Sequence, residues 1–174
     1  MFVDGSHFVH SPFLGYLWCK ERLYIKAPAG RKRHNVLGAF NAISNELITV
    51  KNDSYVNSLT VIELIYDVSS HYKDIKITLV MDNAKYQRCA IVMEFAEYCG
   101  VELLFLPPYS PNLNLIERLW KFVKKNALNS RYYEDFNSFK MGINDCLEKI
   151  STIFMDEVKS LMTLNFHIVK NVVF

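Results

Sequence analysis

Residues 76–84 read K-I-T-L-V-M-D-N-A, and the short apolar run at 76–81 decides the architecture. It is rich in β-branched residues and too short for a helix, as a strand buried on both faces should be. It stops at Asp82-Asn83, a pair that favours turns. A central buried strand of this kind implies flanking elements that cover it, and the residues on either side supply them.

Downstream, residues 87–99 carry helical spacing and end at Gly100, a common helix stop. Residues 101–106 (V-E-L-L-F-L) form a second buried strand, broken by Pro107-Pro108. Residues 113–128 follow as an amphipathic helix with Ile116, Leu119, Trp120 and Val123 on one face. Two more helices are expected over 136–150 and 155–164. Upstream, Leu59, Ile62, Leu64, Ile65 and Val68 recur at helical spacing within 56–71. Before them lie strands at 35–43 and 46–51, joined by a turn at Ser44-Asn45, and a first strand over 1–10. Antiparallel strands followed by βα alternation predict an α/β fold, a mixed five-stranded sheet with helices on both faces.

The chain of 174 residues suits one domain over 1–174. Its 51% hydrophobic and 22% charged residues are those of a globular protein. No run is apolar and long enough for a membrane span, and nothing at the start resembles a signal peptide, so a cytoplasmic protein is expected. Cys19, Cys89, Cys99 and Cys146 form no CxxC pair and read as reduced structural thiols. The net charge of +2 is unevenly spread. Lys20, Arg22, Lys26, Arg31, Lys32 and Arg33 cluster around one acid, and Arg118, Lys121, Lys124, Lys125 and Arg131 around none. Such clusters either follow a phosphate backbone or form solvated faces.

Three acids occupy telling places. Asp4 lies within the first strand, Asp82 ends the central one, and Glu117 opens the amphipathic helix. Ligand sites in open α/β sheets gather outside the carboxyl ends of strands. Singly, each acid has a plainer reading: a surface acid on an edge strand, a turn residue, and an i, i+4 partner for Lys121.

Together, and with their surroundings, they resemble a known family. The stretches are F-V-D-G-S-H-F at 2–8, G-R-K-R-H-N-V-L-G-A at 30–39, V-M-D-N-A at 80–84 and L-P-P-Y-S-P-N-L-N-L-I-E-R-L-W at 106–120. Thirty-four residues separate Asp82 from Glu117. This pattern resembles the catalytic domain of bacterial insertion-sequence transposases of the mariner-type superfamily, to about residue 128. The resemblance implies a ribonuclease-H-like fold in which Asp4, Asp82 and Glu117 bind two Mg²⁺ ions, with Mn²⁺ as substitute. It also implies DNA cleavage at transposon ends and strand transfer into target DNA, usually at TA.

Two metal ions activate water and stabilise a departing oxygen, and Mg²⁺ prefers hard oxygen ligands. Three such acids repel one another without metal, so raised carboxyl pKa values are expected. Asn83 is a candidate to orient Asp82 or a bound water. Arg31, Lys32, Arg33, Lys121, Lys124 and Lys125 are candidate DNA contacts. Tyr109 and Trp120 are candidates to stack on a base, although Trp120 lies on the apolar stripe and reads as core. His7 and His10, three apart on a strand, point to opposite faces and are not expected as ligands. Relatives carry His where this chain has Gln87.

Family members place helix-turn-helix modules ahead of the catalytic domain to recognise DNA ends, and no such segment is read here. The active complex is expected to be a homodimer on DNA. The competing readings are an inhibitory or inactive transposase fragment and a stand-alone structure-specific nuclease.

Overall fold

The computed structural model describes residues 1–10, 20–21, 24, 32–108 and 110–164. Its sheet has five strands: β1 (Phe2–His10), β2 (Lys32–Phe40), β3 (Leu47–Asn52), β4 (Ile77–Met81) and β5 (Val101–Phe105). Their order is β3-β2-β1-β4-β5. The first three pair antiparallel, while β4 runs parallel to both β1 and β5. The expected mixed sheet is present, with the strand order of a ribonuclease-H-like fold.

Five helices cover it: α1 (Ser58–His71), α2 (Ala90–Tyr98), α3 (Ile116–Ala127), α4 (Phe136–Glu148) and α5 (Met155–Leu161). Period-two alternation in the strands sends successive residues to opposite faces. Val3, Leu37, Leu79 and Met81 therefore meet Leu64, Ile65 and Val92 of α1 and α2. Phe8, Val36 and Phe40 meet Leu119, Val123 and Ile143 of α3 and α4 on the other face. The strand β2 is buried on both faces over His34–Phe40, so its residues lack the clean alternation of a half-exposed strand.

Element ends differ modestly from the sequence reading. The strand β2 begins at Lys32, not 35, because all nine of its residues pair with β1. It also stops at Phe40 instead of 43. Asn41 explains this: its Oδ1 accepts the N–H groups of Ile43 and Ser44, turning the chain three residues early. Asn45, placed in the expected turn, adopts a left-handed φ of 60°, a conformation Asn tolerates. At α1, Asn57 accepts from Thr60 N–H while Thr60 Oγ1 accepts from Asn57 N–H, closing a capping box.

The helix α3 starts at Ile116, after a 3₁₀ turn at Pro111–Leu113. None of the described helices is long and apolar enough to cross a membrane. Cys89, Cys99 and Cys146 carry free thiols, while Cys19 lies outside the described residues.

Candidate active site

The sheet order brings the acids to one place. The strands β1 and β4 lie side by side, with Val3 paired to Met81. Asp4 therefore follows directly beside Asp82, the residue after β4 ends. The helix α3 packs across β1 and β2 on the face that carries Phe8. Glu117 sits in its first turn, where the helix dipole favours an anion.

Asp4 and Glu117 line one cavity of about 280 Å³, together with Ser6, Trp120, Lys121 and Lys124. Asp82 is not part of that lining, but its charge reaches both acids. Burial pushes the Asp4 carboxyl up to about 7, and the charges of Asp82 and Glu117 add to the rise. A hydrogen bond from the Gly5 N–H opposes it. The Trp120 indole lies close enough to temper the rise further, yet Nε1 closes no hydrogen bond. Burial also raises the Glu117 carboxyl, Asp82 adds to this, and Lys121 and Lys124 pull it back. Tyr86 is a neighbour the sequence reading missed. Its phenol is raised by burial and then by the charges of Asp4 and Asp82.

The donor set suits a hard divalent cation. Burial, and after it the charge of Asp82, raises both the Asp4 and Glu117 carboxyls, and a bound cation would oppose that rise. Three buried side-chain atoms among the described residues lack a hydrogen-bond partner: Ser6 Oγ, Asn114 Oδ1 and Trp120 Nε1. Ser6 and Trp120 line the acid cavity, and Asn114 touches Asp82. Unsatisfied polar atoms are rare in native interiors, and their concentration here marks a site shaped for a polar guest. As placed, no three Asp, Glu, His or Cys side chains among the described residues stand close enough to enclose an ion.

The remaining candidates divide. Lys121 and Lys124 share the cavity with Glu117, while Lys125 is exposed on α3 outside it. Lys32 and Arg33 are exposed and line a separate cavity of about 520 Å³ with Asp53, Ser54, Tyr55 and Phe136. Arg31 and Tyr109 lie outside the described residues. Asn83 turns its Oδ1 to Arg88, accepting from Nη1 at 2.7 Å. The amide set against Asp82 is that of Asn114, at 3.3 Å.

Trp120 is 4% exposed and meets Phe8 edge-on, so it packs in the core while its edge borders the cavity. His7 is exposed and hydrogen-bonds Asn35 through Nδ1, whereas buried His10 bonds the Tyr133 carbonyl through Nε2. Gln87 is buried, and its Oε1 accepts the Ala84 N–H, locking the turn after Asp82.

A sheet with this strand order, with Asp4, Asp82 and Glu117 near where β1, β4 and α3 meet, defines the ribonuclease-H-like class of folds. Within that class the chain belongs to the DDE superfamily endonucleases, whose family pattern residues 1–140 match. Among solved structures it is similar to the Mos1 mariner paired end complex with Mn (TM-score 0.62, 13% identity, 92% of this chain and 52% of that one). It is also similar to the Mos1 strand transfer complex (TM-score 0.58, 14% identity, 92% and 54%). The catalytic core domain of BIV integrase gives a TM-score of 0.51 at 17% identity, over 68% of this chain and 74% of that one. At such identities the likeness is one of fold. The chain spans about half the length of the Mos1 chains in those two complexes. A 38-residue segment is 43% identical to the uncharacterized protein y4pE/y4sA of Sinorhizobium fredii (strain NBRC 101917 / NGR234), covering 22% of this chain and 28% of that protein.

Proposed function

We propose that this chain is the catalytic core of an insertion-sequence DNA transposase, which cuts DNA at transposon ends and joins the liberated 3′ ends to target DNA, at TA. The observation that carries the reading is the shared cavity of Asp4 and Glu117, with the charge of Asp82 acting on both and with Lys121 and Lys124 on its rim.

Asp4, Asp82 and Glu117 are the residues that would hold two Mg²⁺ ions, or Mn²⁺ in their place. When bound, such ions lower the pKa of water and neutralise the departing oxygen. The chain's own groups do the rest. Burial keeps the Asp4 carboxyl poorly hydrated, so little water must be stripped from it when a cation and phosphate arrive. Lys121 and Lys124 place two ammonium groups beside Glu117, where they attract and align a phosphodiester.

In the first step a water oxygen attacks phosphorus, and the bond to the 3′ oxygen breaks to leave a 3′-hydroxyl. In the second, that hydroxyl attacks a target phosphodiester, so one P–O bond forms as another breaks. Neither step needs a nucleophilic side chain. Lys32, Arg33 and Lys125 would contact DNA flanking the reacting phosphate. The active form is a homodimer on paired ends, working at the bacterial nucleoid in the cytoplasm.

The test is Mn²⁺-dependent nicking of supercoiled plasmid carrying transposon ends. The chain should nick it, and Asp82→Asn should not while melting like the parent. Equal nicking by both would dismiss the reading.

A further inference from the structure

We infer that Asn114 is a positioning residue that holds the three acids in one frame, an inference that rests on the reading of Asp4, Asp82 and Glu117 as the reacting site. Asn114 is 1% exposed and lies in the link between the 3₁₀ turn and α3. Its Nδ2 donates to the Val3 carbonyl at 3.0 Å, on the peptide that leads into Asp4. The same nitrogen donates to Asp82 Oδ1 at 3.3 Å. Its backbone carbonyl accepts the N–H of Glu117 at 3.2 Å. One residue thus ties the end of β4, the second peptide of β1 and the first turn of α3.

The orientation of this amide is fixed by its partners. Turning it over would set an oxygen against the two acceptors, Val3 O and Asp82 Oδ1. Its Oδ1 consequently stays buried with no donor, which destabilises the fold. Leu115 and Ile116, the next two residues, are fully buried apolar side chains, so the surroundings accept hydrocarbon. Packing alone gives no reason for a half-satisfied amide here; its hold on Asp82 and β1 does. The acids lie on separate elements, and outer partners that orient ligands commonly alter metal affinity or activity by about ten- to a hundredfold when removed.

The test compares Asn114→Leu, close in volume but without the donor, and the shorter Asn114→Ser with the parent and with Asp82→Asn. Mn²⁺ affinity is measured by calorimetry without DNA, kcat and KM by plasmid nicking, and folding by thermal melting. In folded variants Mn²⁺ should bind about tenfold or more weakly, with kcat reduced and KM for DNA unchanged. Parental Mn²⁺ affinity and kcat in the folded variants would overturn the positioning role. If neither variant folds, Asn114 is a structural residue and the inference is likewise wrong. Parental Mn²⁺ binding and nicking by Asp82→Asn would instead overturn the reading of the acids.

Discussion

Asp4 is paired directly with Gly38 across the β1–β2 ladder, and the space above Gly38 is filled by the Trp120 ring. A Cβ at Gly38 would stand 2.8 Å from Trp120 Cη2 and 3.2 Å from Ile116 Cδ1. Glycine is therefore what lets α3, and Glu117 with it, approach the strand that carries Asp4. Gly38→Ala should destabilise the chain by about 1–3 kcal/mol through overpacking and should reduce nicking beyond that loss. Gly5→Ala, whose Cβ meets nothing closer than 3.7 Å, should melt near the parent. Urea unfolding of both, with nicking rates at matched folded fraction, checks this.

The raised Asp4 carboxyl makes stability depend on pH. Its ordinary value is 3.8 and its folded value about 7, so between these the folded chain keeps a proton that the unfolded chain has released. The contribution is complete below the lower value and is lost as pH rises from it through the higher one, by roughly 1.4 kcal/mol per pH unit from this group. Glu117, also raised, acts in the same direction. Metal-free melting temperature should therefore fall between about pH 4 and pH 7, and Asp4→Asn should flatten that fall. A cation that binds the ionised carboxylates should restore more stability at the alkaline end. Calorimetric scans with and without Mn²⁺ measure both effects.

Lys121 and Lys124 should act on DNA as charges. Replacing either with Gln should weaken DNA binding with little change in sequence preference, and should lower the magnitude of the salt slope by about 1. Lys149, already paired with Asp145 at 2.6 Å, serves as the control and should leave the slope unaltered. Fluorescence anisotropy over a salt series gives the slopes.

Much of the fold was legible because burial writes a period into the sequence. The run at 76–81 and the stripe of Ile116, Leu119, Trp120 and Val123 describe their own environments, and they became β4 and the buried face of α3. Element ends were less legible, since they depend on single hydrogen bonds such as those of Asn41, which no period announces. The places of Asp82 and Glu117 relative to their elements could be read locally. Their approach to Asp4 could not, because it follows from β4 pairing with β1 across more than seventy residues.

Asn83 and Asn114 show the same limit. Adjacency favoured Asn83 as the partner of Asp82, yet its side chain turns to Arg88. Asn114, thirty-two residues away in sequence, makes the contact. Tyr86 lies in none of the quoted stretches and Ser6 only in the one that surrounds Asp4, so the folded surroundings alone single them out.

The most direct test of the central claim is anomalous diffraction from crystals of the chain bound to a DNA end and soaked in Mn²⁺. One or two Mn²⁺ peaks should lie within coordination distance of at least two of the Asp4, Asp82 and Glu117 carboxylates. Mn²⁺ bound elsewhere on the protein, with all three carboxylates free of metal at saturation, would contradict it.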